Sequence, residues 1–551
     1  MKKRLMMAGI CMMSLSAVHA QQDTTLNRTV IVENEYNPTV MDASKINVLP
    51  KVNEPKVAKK NIDYATSLRP VSSWNYQTMS PVIREWETDR PSRGYLRAGY
   101  GNNGNVDVKV GYLWDLTQQD RLNVAASLDG WNGDLQNEDK ELGDWTSRLY
   151  HAKIGMDYKH SFRKVDMTLG GSFRSQVFNY MPFASFPSLT EREEGTTRQH
   201  QILGNGYIGF VSTDEEMPVR FAAEMGTHYF KMKYATMYQD AGNETNFYLK
   251  GDVWKMVSDA SRYGLGVKFD NYAYSTETDG AMALDLNPYY AMEKGGWRIR
   301  LGVNVDWWHG DYPWWNDDKK KLYVSPDVSL EYQFSNSYML QAKAGGGRRT
   351  HSFYQLTTGY SPYWMTDGLL PTYATLDAEL GLKGSPVNGL WFGVAGGYRV
   401  TEHDFVPGLT ADDVAYFSAV SECKSKVAHA RAEVKYDYKD VWGVYLKGAY
   451  FDWELEKAES CGLLPEAELN LGIHVRVLEG LNLDLGYDYV KRADADGYDP
   501  VSNLHIGADY VLLKNLSLFG KVNNLLNKEY VRADAYPAQK LNFLAGLSLQ
   551  F

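Results

Sequence analysis

The sequence predicts an all-β fold: a transmembrane antiparallel β-barrel of about 22 strands with a short extended segment before it. Three observations predict it. First, apolar and polar residues alternate over long stretches. In NVDVKVGYLWDL (105–116), Val106, Val108, Val110, Tyr112, Trp114 and Leu116 share one face, and Asp107, Lys109, Gly111, Leu113 and Asp115 share the other. Side chains of a strand point alternately to its two faces. WRIRLGVNVDW (297–307), HARAEVKYDY (429–438) and LNLDLGYDY (481–489) repeat the pattern. Such runs exceed the five or six residues usual in soluble sheets and match the roughly 9–11 needed to cross a bilayer at a tilt. Second, connections alternate between short and long from the second strand onward. Third, the mean hydropathy is −0.44, and beyond the N-terminus no apolar run is long enough for a membrane helix, as expected when half the strand residues face a polar interior.

The elements follow in order. MKKRLMMAGICMMSLSAVHA reads as a signal peptide, with Lys2, Lys3 and Arg4 before an apolar stretch and a cleavage site after Ala20. Ile10 before Cys11 argues against a lipoprotein site, so Cys11 is expected to be removed. Residues 21–93 are punctuated by Pro38, Pro50, Pro55, Pro70, Pro81 and Pro91, which predicts an extended periplasmic segment. Residues 94–551 form the barrel. Its predicted strands span 94–101, 104–116, 121–131, 145–160, 163–178, 199–212, 217–232, 245–256, 261–275, 280–290 and 295–308. They continue over 321–334, 337–352, 373–383, 388–401, 424–438, 441–454, 464–478, 480–491, 501–513, 515–527 and 540–551.

Long connections fall at 132–144, 179–198, 309–320, 353–372 and 402–423, and short ones between them. Outer-membrane barrels sort their connections this way, with short periplasmic turns and long outer loops. Both termini are then expected in the periplasm. The 39 Tyr and 15 Trp suit interfacial girdles, with Trp114, Trp297, Trp307, Trp308 and Tyr489 near strand ends; tyrosine is also simply a good strand former.

Charge and chemistry narrow the function. A net charge of −10 argues against nucleic acid as a partner. No nucleophile elbow, phosphate loop, HExxH or CxxC pair is present, so no enzyme activity and no cofactor are expected. Inward-facing Asp107, Lys109, Arg298, Arg300, Asp306, Arg431, Glu433, Lys435, His474 and Arg476 mix both signs, which predicts ion-pair ladders rather than a selectivity ring. His429, His474 and His505 lie on strands too far apart to share a metal. The outer loops WHGDYPWWNDD (308–318) and YSPYWMTDG (360–368) offer aromatics for a ligand or for loop packing, and DLQNEDKELGD (134–144) reads as a solvated loop. Cys423 and Cys461 fall in predicted neighbouring outer loops, where a disulfide or two free thiols are both open.

The C-terminal residues carry a family resemblance. KVNNLLNKEYV (521–531), then Tyr536-Pro537, then NFLAGLSLQF (542–551) resembles the end of a TonB-dependent receptor, with Asn524, Leu525, Asn527, Lys528 and Tyr530 fitting its motif. The resemblance implies a twenty-two-stranded barrel, solute uptake across the outer membrane of a Gram-negative cell, and contact with lipid. It also implies that Leu547, Leu549 and Phe551 form a signal read by the outer-membrane assembly machinery. Thr29, Val30, Ile31 and Val32 resemble a TonB box, which would add a strand to the sheet of TonB or another periplasmic protein. One departure stands out: residues 21–93 are too short for the family's plug domain. A barrel this wide is normally plugged, so the lumen is expected to be filled by 21–93, by inward-folding loops such as 179–198 or 402–423, or by a plug or surface subunit. The alternative function is a scaffold subunit of an outer-membrane complex whose partners seal the barrel.

Overall fold

The computed structural model describes residues 92–135, 145–180, 198–234, 242–275, 280–310, 322–359, 371–410, 414–456, 464–493, 499–530 and 537–551. The signal peptide, residues 21–91 with the TonB-box-like stretch, Cys461 and most of the long-loop tips lie outside them.

Each predicted strand is present. The first half comprises β1 (Gly94–Gly101), β2 (Val106–Asp115), β3 (Asp120–Leu135), β4 (Trp145–Ser161), β5 (Val165–Asn179), β6 (Arg198–Ser212), β7 (Arg220–Met232), β8 (Asn243–Ser258), β9 (Ser261–Tyr274), β10 (Ala281–Lys294) and β11 (Trp297–Gly310). The second half comprises β12 (Leu322–Ser335), β13 (Tyr338–Arg349), β14 (Thr372–Gly384), β15 (Leu390–Thr410), β16 (Val414–Tyr438), β17 (Trp442–Glu456), β18 (Pro465–Leu478), β19 (Leu481–Arg492), β20 (Val501–Leu513), β21 (Leu516–Asn523) and β22 (Asn542–Gln550). A single α-helix among the described residues, α1 (Phe353–Gly359), is seven residues long, and one 3-10 turn spans Asn102–Gly104. No described helix is long and apolar enough to cross a membrane.

All 22 strands join one sheet. Each pairs antiparallel with its sequence neighbour, and β1 pairs with β22 from Tyr95↔Gln550 to Gly101↔Leu544, which closes the barrel. Closure removes the exposed edges that an open sheet would present. At the seam the backbone N–H groups of Arg93 and Gly94 both donate to the carbonyl of Phe551, and the Phe551 N–H donates to Gly94 O at 3.0 Å. The Phe551 ring stacks on Tyr112 at 5.8 Å and sits where a side chain on Gly94 would be, 2.3 Å from an ideal Cβ.

The alternation sets the two faces. Ile154, Leu301, Leu380 and Leu547 point outward and are 52%, 47%, 59% and 50% exposed, whereas the neighbouring Asp107, Asp270 and Asp306 point inward and are buried. Short turns collect on one rim. Gly295 and Gly296 form one of them, with φ of 61° and 80°, the paired left-handed geometry of a two-residue hairpin turn. Tyr112 and Trp114, Trp297 and Tyr332, and Tyr436 and Trp442 pack near this rim, forming an aromatic belt.

Three expectations need correction. Residues 402–423 are not a loop. β15 and β16 run on as a hairpin to Thr410 and Val414, beyond the last β14 pairing at Glu402, and Cys423 therefore lies within a strand. Pro407 and Gly408 pair with Ala419 and Ser418, with register shifts on either side of this stretch. β21 stops at Asn523 rather than 527, because Asn524 and Asn527 take positive φ of 51° and 52°. Trp308 is not part of a girdle. It faces inward, buried with Tyr272, Ala281 and Ala283, while its neighbour Trp307 keeps the outward parity.

Candidate functional site

The inner wall is polar and paired. Arg97 and Lys109 both bridge Asp107 at 3.3 Å. Arg298 bridges Glu293 and Glu331, Arg300 bridges Asp327 at 2.7 Å, Arg431 bridges Glu379 at 2.5 Å, and Lys447 bridges Glu433 at 3.2 Å. Apart from Lys109–Asp107, which lies along β2, these pairs join different strands, as the predicted ladders require. Among the described residues no cluster of three or more His, Cys, Asp or Glu side chains could hold a metal.

The wall is interrupted at one place, and a run of glycines makes the interruption. β13 pairs with β12 only as far as Val328↔Ala344, while its pairing with β14 continues to Arg349↔Thr372 with a shift between Gly345 and Gly347. Gly347 has a φ of 127°, open to glycine and strained for other residues. A Cβ on Gly346 would lie 2.5 Å from Ala374 O and from the Ser325 side chain. Beyond this bulge β13 leaves β12 and crosses the inner face of β12 and β11, where Asn304 Nδ2 donates to Gly346 O at 3.1 Å.

The displaced end of β13 carries Arg348, whose side chain is 1% exposed. Its guanidinium donates to both oxygens of Asp285 on β10, at 2.9 and 2.7 Å, and to Asp270 Oδ2 on β9 at 3.2 Å. It also donates to Thr350 Oγ1. The Arg348 backbone N–H donates to Asp306 Oδ2 at 3.0 Å, and Lys268 joins Asp270 at 3.1 Å. A two-pronged guanidinium–carboxylate contact fixes direction as well as distance, so Arg348 pins the strand end across the lumen wall.

From this anchor the chain enters α1. Ser352 Oγ accepts the Gln355 N–H at 3.1 Å, a side-chain cap on the first turn. Glu244, near the start of β8, accepts the N–H groups of Phe353 and Tyr354 at 2.7 and 3.1 Å. These are donors that a helix start leaves without internal partners. Gln176 Nε2 on β5 donates to Thr357 O at 3.1 Å and to Gln201 Oε1 on β6 at 3.1 Å. Phe353 packs against Phe230 and Tyr274, and Tyr354 against His228, which stacks on Tyr248. Leu356 and Thr357 are fully buried. The start of β14 is tied to the same wall: His351 Nε2 and Thr372 Oγ1 lie 2.6 Å apart, Thr372 Oγ1 donates to His403 O at 2.9 Å, and the Tyr373 ring stacks on Tyr323 at 3.5 Å. The described part of the connection after β13, residues 350–359, thus lines the inner wall of β5 to β9 at the long-loop end.

Sequence reasoning named the connection 353–372 as a long loop but not its inward course, and it missed Glu244, Gln176 and Arg348. The one local signal was Gly345-Gly346-Gly347-Arg348, a glycine run where a strand was expected. Of the sequence-predicted residues, Leu547 and Phe551 sit on the outward face, half exposed, and Leu549 pairs with Leu96 and Leu516. Cys423 is buried and forms no disulfide among the described residues, which leave out Cys461; its thiol donates to Lys424 O. The receptor-like C-terminal motif braces the long-loop rim. The Asn524 amide donates to Lys528 O and Gln539 O and accepts from the Lys528 N–H. Asn527 Oδ1 accepts from the Leu541 N–H, and Gln539 Oε1 accepts from Asn105 Nδ2 at 2.8 Å, tying the rim across the seam.

No protein-family model and no curated protein sequence matches the chain. Solved structures do match. The FrpB iron transporter from Neisseria meningitidis superposes with a TM-score of 0.66 at 10% identity, over 84% of this chain and 82% of that one. The ferric enterobactin receptor PfeA from Pseudomonas aeruginosa, as a variant in complex with enterobactin, gives 0.64 at 13% identity over 85% and 82%. The siderophore receptor PirA from the same organism gives 0.59 at 13% over 84% and 81%. At these identities the likeness is one of fold: the chain has the closed barrel fold seen in TonB-dependent iron and siderophore receptors.

Proposed function

We propose that the chain is an outer-membrane barrel that carries solute through its lumen. The observation that carries this reading is the pairing of an apolar outer face with a charged, ion-paired inner wall around a closed sheet. Lipid suits the first face and an aqueous path the second. The fold neighbours described as iron transporters and siderophore receptors support a transport role. On this reading residues 1–20 direct export, both termini lie in the periplasm, and Thr29, Val30, Ile31 and Val32 offer an extended strand to TonB or another periplasmic partner. The β22 face with Leu547, Leu549 and Phe551 is what the assembly machinery engages. The transport role is not an enzymatic one.

The test is the conductance of the purified chain in a planar bilayer. Stepwise, steady conductance supports a solute path. Absence of conductance in the full chain, and again after deletion of residues 21–91 and of 353–371, would favour the scaffold reading, in which a partner subunit occupies the barrel.

A further inference from the structure

Near the short-turn end of the lumen, cations and aromatic rings alternate across the inner wall. Arg220 on β7, Trp254 on β8, Arg262 on β9, Tyr289 on β10 and Arg300 on β11 come from five neighbouring strands. The Arg220 and Arg262 guanidiniums lie over the Trp254 ring, 5.7 and 5.5 Å from its centroid. Arg262 and Arg300 lie over the Tyr289 ring at 6.0 and 3.7 Å. Such stacking holds guanidiniums in place on a wall without neutralising them.

The row differs from the rest of the wall in its charge balance. Arg300 is bridged by Asp327. Arg220 and Arg262 form no ion pair among the described residues. Carboxylates beside them are engaged elsewhere: Asp252 accepts the Tyr289 hydroxyl at 3.1 and 2.9 Å, and Glu293 takes Arg298. Two donors are left over as well. Arg220 Nε and Trp254 Nε1 are buried with no acceptor among the described residues. Arg220 and Trp254 are register partners, and Trp254 is 6% exposed. Water satisfies a half-buried guanidinium such as Arg262, but not N–H groups withdrawn from it. Two unpaired cations and two unmet donors in one place call for the same complement, an anion that accepts hydrogen bonds.

We propose that Arg220, Trp254 and Arg262 form an oxyanion subsite at the short-turn end of the lumen, which takes the phosphate or carboxylate group of a soluble solute. Guanidiniums grip such groups through paired N–H donors. Drawing them off the indole uncovers its N–H as a further donor. The row faces inward, so the phosphates of the surrounding membrane do not reach it. On the transport reading a solute meets the subsite at the periplasmic end of its path. Binding itself does not depend on that reading, and the experiment separates the two.

The full chain is labelled with fluorotryptophan and solubilised in detergent, and the Trp254 fluorine resonance is assigned by its loss in Trp254→Phe. Inorganic phosphate and sodium acetate are titrated in parallel. The Trp254 resonance is expected to move saturably with at least one of them, and to stay in place with sodium chloride at the same ionic strength. Arg262→Gln and Arg220→Gln are each expected to raise the midpoint about tenfold, as loss of a charged hydrogen-bond partner implies. Arg298 already lies between Glu293 and Glu331, so Arg298→Gln should leave the midpoint unchanged. Only variants that migrate as the compact folded band are compared. If neither glutamine variant folds, Arg262→Lys, which keeps the charge but loses the paired donors, is expected to raise the midpoint in their place. A response to one oxyanion alone supports the subsite and identifies the group. No movement with either oxyanion, equal movement with chloride, or an unchanged midpoint in the folded arginine variants overturns it. Planar-bilayer recording of the same protein tests the path. Oxyanion binding without conductance overturns the path while the subsite stands, and steady conductance without an oxyanion response overturns the subsite while the path stands.

Discussion

The ring of Tyr289 lies across Gly264, its register partner on β9, and reaches over that strand to Asp252 on β8. An ideal Cβ on Gly264 would sit 2.3 Å from the ring, and the hydroxyl donates to Asp252 Oδ2 at 2.9 Å. The arrangement recurs on the inner wall. Tyr207 crosses its partner Gly170 to bond Asp157 two strands away, and His429 crosses Gly397 to approach Glu379 at 3.6 Å. Each row ties three strands together laterally: an acid, a glycine that leaves room, and an aromatic that spans the gap. This explains why glycines sit inside strands that they would otherwise weaken.

Filling one of these gaps is expected to loosen the barrel. Gly264→Val should displace the Tyr289 ring and cost about 1–3 kcal/mol, the usual range for overpacking. Gly206→Ala, with nothing within 4 Å of its Cβ position, should be near neutral. The thermal shift from the compact folded band to the slower unfolded band on a semi-native gel would measure both, and equal midpoints would refute the role of the gap.

Arg348→Met is expected to be the most disruptive single change at the β13 bulge. It leaves Asp270 and Asp285 facing one another on the inner wall without the cation between them, and breaking a buried pair from one side costs about 3–5 kcal/mol. Asp285→Asn should cost less, because Asp270 still balances the guanidinium. Urea-induced loss of tryptophan fluorescence would rank the two variants; the reverse order would contradict the clamp.

The seam makes a further expectation concrete. Phe551→Ala keeps the backbone bonds to Arg93 and Gly94 but removes the Tyr112 stack. Gly94→Leu drives a side chain into the Phe551 ring. Both are expected to lower the folded fraction recovered from outer-membrane preparations, Gly94→Leu more strongly. Unchanged recovery for Phe551→Ala would remove it from the proposed assembly signal.

Cys423 is 1% exposed. Its thiol is expected to resist a bulky maleimide in the folded barrel and to react fully in denaturant without prior reduction. A reductant requirement, with a matching mobility shift on a non-reducing gel, would show that it pairs with Cys461.

Much of the architecture was legible because a barrel writes itself into the period of its strands. Val106 to Leu116, or Trp297 to Trp307, admit one register of faces, since a slip of one residue would turn charge toward lipid. The Gly295-Gly296 turn was legible in kind but not in place: the predicted strand 295–308 took in both glycines, whereas β10 runs on to Lys294 and the two glycines make the turn. What stayed hidden depends on distant partners. Nothing near Phe353 signals that Glu244 will accept its N–H, for the two meet only after β9 to β13 have curved the wall round. Trp308 was misread for a related reason. Proximity to a strand end suggested a girdle, but parity decides the face, and two adjacent tryptophans cannot share one. The extension of β15 and β16 carries no such local mark, because it rests on the two strands pairing with each other from Asp404↔Cys423 to Thr410↔Val414 beyond the reach of β14.

The β1–β22 pairing has a consequence for biogenesis. The bonds that seal the cylinder join the first strand in sequence to the last, so no early intermediate can satisfy the free edge of β1. That edge must stay unpaired while every intervening hairpin is made. Closure is then a late, long-range event, of the kind that is slow to form and exposed to wrong pairing until it does. A chain with this topology leaves the outer edge of Gly94–Gly101 open to wrong pairing until β22 has formed.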